Sequence, residues 1–167
     1  MQPVFTTENL YFRRFEPGDA ASVLELNSDP LVTRFTHDTI YTLEQAEEVL
    51  KRSVLPHYEQ YGYGRWAVIR KADDQFIGWC GLKFRPAKGV TDLGYRFIRR
   101  FWGQGYATEA AIGTTLFASN VLKIKFLTAT AEPENTASIR ILTRCGFEQT
   151  GYGEVDGFPV ILFQRYP

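Results

Sequence analysis

The chain is poor in the residues that ligate metals and staple secreted folds: two cysteines, two histidines and one methionine occur in 167 residues. Cys80 and Cys145 lie far apart with no Cys-x-x-Cys spacing, so neither a disulfide framework nor a zinc site is expected. They read as two small buried thiols. His37 and His57 are isolated from each other and from any nucleophile, so no Ser–His–Asp arrangement is assembled, and no metal is expected. An excess of either charge is also missing: 19 basic residues face 19 acidic ones. Without a basic field, nucleic acid and anionic membrane surfaces are poor partners, although a local basic patch beside a phosphate stays open. No apolar run approaches the ~20 residues that span a bilayer. The first residues lack a basic segment followed by an apolar one, so no signal peptide is expected. A soluble cytoplasmic protein, monomer or homodimer, is the expectation.

Aromatic side chains are plentiful at 15%, within a hydrophobic content of 44%. They serve either a dense core or a lined pocket. The length suits one domain, 1–167, and no repeat, low-complexity tract or linker divides it. Glu8-Asn9-Leu10-Tyr11-Phe12 resembles part of an engineered protease-cleavage tag, but Arg13 follows and the stretch alternates as a strand does, so it is read as native.

Taken in order, Asn9 to Phe15 predicts a strand with Leu10, Phe12 and Arg14 on one face. Pro17-Gly18-Asp19 breaks it, and Asp19 is placed to cap a helix carrying Ala20, Val23, Leu24 and Leu26. Asn27-Ser28-Asp29-Pro30 ends that helix and starts a short turn capped by Asp29. Thr42-Leu43-Glu44-Gln45 is a capping box, opening a helix with apolar Leu43, Ala46, Leu50, Val54 and Tyr58. Gly62 and Gly64 stop it. Strands over Arg65–Arg70, Gln75–Phe84 and Thr91–Ile98, joined by short turns, predict an antiparallel meander. Gly78 and Gly81 mark a bulge or a close approach. A helix from Gly105 to about Asn120 follows. Ile124–Ala131 reads as a central strand, apolar on both faces. Thr136–Arg144 is a helix ended by Gly146, and two strands surround the turn at Asp156-Gly157. One mixed α/β domain accounts for the whole.

The chemistry sits in Arg100-Phe101-Trp102-Gly103-Gln104-Gly105-Tyr106-Ala107. A strand precedes it and a helix follows, so backbone N–H groups and the positive helix end converge on one place, as anion binding requires. Gly103 and Gly105 let a ligand approach the backbone. Read alone, Arg-x-x-Gly-x-Gly is also a generic turn. It is not a Walker loop, because Tyr106 and Ala107 follow Gly105. It is not a Rossmann fingerprint, because an antiparallel meander precedes it.

This loop resembles the Arg/Gln-x-x-Gly-x-Gly/Ala signature of the GNAT superfamily of acyl-CoA-dependent N-acetyltransferases. The run from Asp92-Leu93-Gly94-Tyr95 through Phe101-Trp102-Gly103-Gln104-Gly105-Tyr106-Ala107-Thr108-Glu109-Ala110 is similar to its ribosomal-protein N-terminal acetylating (RimJ/RimL-like) branch. Asn27-Ser28-Asp29-Pro30 and Asn135-x-x-Ser138 with Cys145-Gly146-Phe147 resemble further segments of that branch, in the same order. The resemblance implies a mostly antiparallel twisted sheet of about seven strands, flanked by four helices and splayed between strands 4 and 5. It implies acetyl-CoA as co-substrate and direct attack by an amine. Backbone N–H groups from Phe101 to Tyr106 would hold the pyrophosphate. Pantetheine would fill the splay beside Phe97 and Ile98, a backbone N–H there would stabilise the oxyanion, and Asn135 would bond the pantetheine arm.

Two proton transfers remain. The family often has Glu where Asp92 stands, so Asp92 is the candidate base, against the alternative of a solvated strand-end carboxylate. Many relatives place a tyrosine proton donor at the position of Leu142, where this chain has none. The branch suggests Ser138 instead, against the alternative of a serine bonding backbone in the first helical turn. His37 either lines the acceptor pocket or sits on a surface loop. Trp66, Trp79 and Tyr95 either pack on the sheet or wall the acceptor site. Arg140 and Arg144 either face the CoA 3′-phosphate or lie on a solvated helix face. Three functions stay open: acetylation of a protein or peptide N-terminus, acetylation of a small-molecule amine, and CoA binding without catalysis. Longer acyl donors stay open too.

Overall fold

The computed structural model describes residues 2–166. Its centre is one sheet of eight strands in the order β1-β2-β3-β4-β5-β6-β8-β7. The sequence reading missed β1, Phe5–Thr6, whose two residues pair with Phe12 and Tyr11. No hydrophobic period is readable in two residues. Strands β2 (Leu10–Arg14), β3 (Arg65–Arg70), β4 (Gln75–Arg85) and β5 (Val90–Phe97) form the meander. Leu10 and Phe12 are buried as predicted, but Arg14 is exposed at the strand's end.

Helix α1 (Ala20–Asn27) begins differently from the expectation. Asp19 does not cap it. Its carboxylate takes both Arg13 guanidinium nitrogens at 2.8 Å and the Glu16 N–H, closing a 3-10 turn over Pro17–Asp19. The next element is α2 (Leu43–Val49), which runs through a π turn at Leu50–Val54 into α3 (Leu55–Tyr61). The Thr42–Gln45 capping box forms as read. Ala46, Leu50, Val54 and Tyr58 are buried, and Leu43 is exposed. Apolar residues spaced by four drift about 40° per step around an α-helix. The wider π turn takes up that drift just ahead of Pro56, which cannot donate to the preceding turn. Counting 43–61 as one helix, α4 (Tyr106–Asn120) and α5 (Thr136–Arg144) complete four.

Strands β6 (Leu127–Ala131), β7 (Glu148–Val155) and β8 (Phe158–Arg165) finish the sheet. β6 is central, yet it is not apolar on both faces: Leu127, Ala129 and Ala131 are buried while Thr130 is exposed. Its second face lines an opening, described below. The β7–β8 turn has Asp156 and Gly157 both at positive φ, as a two-residue hairpin demands. Gly78 and Gly81 mark close approaches. A Cβ at Gly81 would stand 2.2 Å from the Gly64 carbonyl, and one at Gly78 2.2 Å from that of Arg96. The register also slips by one residue opposite Gly78.

His57 joins α3 to β4. Its Nδ1 donates to the Tyr63 carbonyl at 2.6 Å and its Nε2 accepts the Phe84 N–H at 3.0 Å. That pair of bonds needs the neutral ring, and burial lowers the His57 pKa in the same direction.

Candidate active site

β5 and β6 run parallel, but they pair only at Thr91↔Leu127 and Asp92↔Thr128. Beyond that point β5 continues to Phe97 and β6 to Ala131 with no ladder between them. Each strand thus carries a backbone edge without a neighbour in the middle of the sheet. A cavity of about 350 Å³ runs through this opening.

At the far end of β5 the chain makes a 3-10 turn over Arg99–Phe101 and then the two-glycine loop. Phe97, Ile98 and Phe101 turn their side chains into the core. The Trp102 indole donates to the Phe97 carbonyl at 2.8 Å, and the Gln104 amide to the Arg100 carbonyl at 3.0 Å. These bonds hold the loop from within. Arg100 does not point into it; its guanidinium pairs with Glu25 of α1 at 2.5 Å. Gly103 and Gly105 have φ of 72° and 85°, and a Cβ on either would meet nothing within 4 Å. None of the N–H groups from Gly103 to Thr108 donates to a protein acceptor among the described residues. Tyr106 and Ala107 open α4. Unpaired N–H groups at a helix start, facing open space, suit a pyrophosphate.

One residue in this stretch escaped the sequence reading. Glu109 accepts from the Thr7 hydroxyl at 2.5 Å, the Asn9 N–H at 2.8 Å and the Asn9 side chain at 2.9 Å. Burial raises its pKa, and these bonds overcome that and leave it lowered. It clamps the donor helix to the segment between β1 and β2, and its carboxylate complements the positive helix end.

The two faces of β5 serve different sides of the opening. Cys80 and Tyr95 pair across β4 and β5, and both reach helices: Cys80 bonds Thr114 of α4 at 3.2 Å, and the Tyr95 hydroxyl lies 2.8 Å from Ser138 Oγ of α5. Ser138 therefore bonds a side chain rather than the backbone carbonyls of its own helix. Burial raises the Tyr95 pKa strongly, so the phenol stays protonated. Asn135 caps α5, its Oδ1 accepting the Ser138 N–H at 3.2 Å, and it lines the cavity with its amide nitrogen uncommitted.

The opposite face carries Trp79, Gly81 and Lys83 of β4 against Arg96, Gly94 and Asp92 of β5. Asp92 sits at the root of the opening, with one oxygen 2.6 Å from Arg85 Nε and the other accepting from Thr128. Arg96 bonds Asn27 and reaches Asp38 at 3.0 Å. His37, on a loop at φ 58°, bonds Glu132 at 2.5 Å and stacks on Phe158 at 3.6 Å. It lines the cavity from an exposed loop, so both of its readings hold. Trp79 and Tyr95 also line the cavity, whereas Trp66 is core. Arg140 and Arg144 are exposed.

The comparisons agree with this architecture. The model of the acetyltransferase (GNAT) domain family matches residues 9–148. An uncharacterized N-acetyltransferase of Bacillus licheniformis, p20, is 32% identical over 148 residues, 87% of this chain and 82% of the relative. A GNAT-family acetyltransferase of Bacillus anthracis superposes with a TM-score of 0.84 at 23% identity, covering 96% of both chains. The ribosomal-protein-S5-alanine acetyltransferase of Vibrio fischeri superposes at 0.74 with 17% identity, over 97% of this chain and 95% of its own. The chain belongs to the GNAT acetyltransferase family. It is an N-acetyltransferase that takes its acetyl group from acetyl-CoA.

Proposed function

We propose that the acceptor is a primary α-amine, with protein or peptide N-termini as its class. The observation that carries this is the state of the carboxylates inside the cavity. Asp92 is engaged by Arg85 and Thr128, Asp38 by Arg96, and Glu132 by His37. The one carboxylate of the lining without a partner among the described residues, Asp156, is exposed to solvent on the β7–β8 turn. An α-amine has a pKa near 8, so roughly a tenth of it is neutral at pH 7, against about one part in 2,500 for a lysine side chain. A site with a weak base suits the amine that needs little help.

In this reading the unpaired N–H groups from Gly103 onward hold the pyrophosphate, and the free edges of β5 and β6 take the pantetheine as a strand. An edge N–H beyond Asp92 stabilises the oxyanion. The amine nitrogen bonds to the acetyl carbon and the carbon–sulfur bond breaks. The surplus nitrogen proton leaves to water, steered by Asp92. Ser138 passes its hydroxyl proton to the departing thiolate as the Tyr95 phenol passes one to Ser138 and takes one from water, so that neither oxygen is left charged. A thiol with a pKa near 8.5 accepts a proton readily at pH 7.

Thiol release from acetyl-CoA tests the acceptor class, using peptides whose only amine is the N-terminus, N-blocked lysine peptides and spermidine. We expect kcat/KM at least about tenfold higher for the first group. Equal or faster turnover of the lysine peptides or spermidine would overturn the assignment.

A further inference from the structure

Two cations on the acceptor face have no ion-pair partner among the described residues. Arg65 begins β3 opposite Gly81, and Lys83 stands two residues further along β4 on the same face. Every other basic side chain around them is matched: Arg85 to Asp92, Arg96 to Asp38, His37 to Glu132. Arg65 and Lys83 form no hydrogen bond through their side chains and no ion pair with any described residue; Arg65 lies over the Trp79 ring at 4.7 Å. Both line the cavity, and among the described residues no fully buried side-chain nitrogen lacks a partner, so their polar ends keep contact with open space. The remaining acidic group in the lining, Asp156, is exposed on the β7–β8 turn.

Holding like charges together away from water is unfavourable without an anion to balance them. Burial and the Arg96 charge push the Arg65 pKa down to about 10 against the opposing charge of Asp38, and burial with Arg65 and Arg85 lowers that of Lys83 against Asp92 and Asp156. Arg65 remains protonated at neutral pH. The donor cannot supply the missing anion from where its phosphates sit. The glycine loop lies past the end of β5, and the helices of the donor side, α4 and α5, bond the opposite face through Cys80 and Tyr95. A cavity of about 350 Å³ admits a small molecule or the first residues of a chain.

We propose that Arg65 and Lys83 form an anion subsite, and that the acceptor carries a carboxylate close to its amine. The proposal rests on the acetyl-transfer reading above for its amine and adds the second group. The carboxylate is either the α-carboxylate of a free amino acid or an acidic side chain next to a peptide N-terminus. The guanidinium offers a forked pair of donors and the ammonium a second charge. A polycationic acceptor would meet two cations without ion-pair partners and is disfavoured.

The test pairs acceptors with and without the carboxylate, and turnover is compared per neutral amine because an α-carboxylate raises the pKa of the amine beside it. Alanine, serine, phenylalanine and glutamate are compared with their carboxamides. C-terminally amidated peptides beginning Ala-Glu are compared with those beginning Ala-Gln. Two quantities are read: thiol release with acetyl-CoA, and calorimetric binding to the CoA-loaded protein. We expect the acid member of at least one pair to bind and turn over at least about tenfold better. The pair that discriminates identifies the source of the carboxylate. In Lys83→Met and, independently, Arg65→Met, discrimination falls below about threefold while CoA affinity holds; Lys83→Met does not disturb the Trp79 contact. Equal binding of acid and amide in every pair overturns the subsite, as does discrimination that survives both substitutions. Discriminating binding without thiol release would leave the subsite standing and sink the α-amine assignment instead.

Discussion

In the proposed reading, the two sides of the opening recognise their ligands by different means. The donor side presents backbone: unpaired N–H groups at the start of α4 and the free edges of β5 and β6. Its side chains turn away, Phe101 into the core and Arg100 to Glu25. The acceptor side presents side chains drawn from segments far apart in the chain: His37 and Asp38, Arg65, Lys83, Asp92 and Glu132. Backbone recognition is indifferent to most substitutions and demands only glycines and a helix start. Side-chain recognition can be rewritten residue by residue. A family that keeps one donor and changes its acceptors is well served by this division.

The sharpest way to break the comparison is Gly105→Val. Gly105 sits at φ 85°, where a β-branched residue is strained, and a side chain there would project into the open space proposed for the pyrophosphate. CoA affinity should fall by more than ~100-fold by calorimetry, with a normal circular dichroism spectrum. Unchanged affinity would remove the loop from the donor side.

Next in size is the hydroxyl pair where the two sides meet. Ser138→Ala should lower kcat by about 10- to 100-fold with little change in the KM for acetyl-CoA, and Tyr95→Phe by less, because water can replace the phenol in the relay. An unaltered kcat in Ser138→Ala would make that serine purely a link between β5 and α5.

Asp92→Asn is the more delicate test. A direct general base contributes about 10²–10⁴-fold. With both oxygens occupied by Arg85 and Thr128, the loss in kcat should stay below about tenfold above pH 8. A loss of a thousandfold would show that Asp92 abstracts the proton itself.

The smallest effect belongs to Asp38. Burial raises its carboxyl, and the Arg96 charge with the Thr36 bond overcomes that and leaves it below the ordinary 3.8. The ion pair is therefore complete at neutral pH and is lost as the pH falls below about 4, through the lowered value. Because Asp38 is half exposed, Asp38→Asn should cost less than about 1 kcal/mol of stability at pH 7, a difference that fades in acid. It should raise the acceptor KM a few-fold by loosening the His37 loop, and leave CoA affinity alone.

The same division explains what could be read from the sequence. The glycine loop, the capping box at Thr42, the Gly146 stop and the Asp156-Gly157 turn are local, each set by a few adjacent residues, and all form as read. The Arg65–Lys83 pair and the Tyr95–Ser138 bond are not local. They follow from the register of β3 on β4 and from the packing of α5 against β5, 43 residues away in the second case. Period-2 alternation does place Trp79, Gly81 and Lys83 on one face, but which face meets the acceptor depends on where the helices pack. Asp19 failed as a cap because Arg13 offers it a bidentate partner across the 3-10 turn, which a reading of helix-start residues does not weigh. The π turn was hidden because apolar residues spaced by four fit either helix type.

The unpaired edges of β5 and β6 have a consequence for the lifetime of the protein. Exposed strand edges are docking points for other chains, and proteins ordinarily confine them to the rim of a sheet. Here two of them face each other inside one. A bound donor that lies along them conceals this weakness, so donor supply acts on folding by mass action. At a concentration a hundredfold above its dissociation constant it would add about 2.7 kcal/mol to the unfolding free energy. Melting temperature and resistance to aggregation should therefore follow the CoA concentration around the molecule, which ties the amount of usable enzyme to the supply of its own substrate.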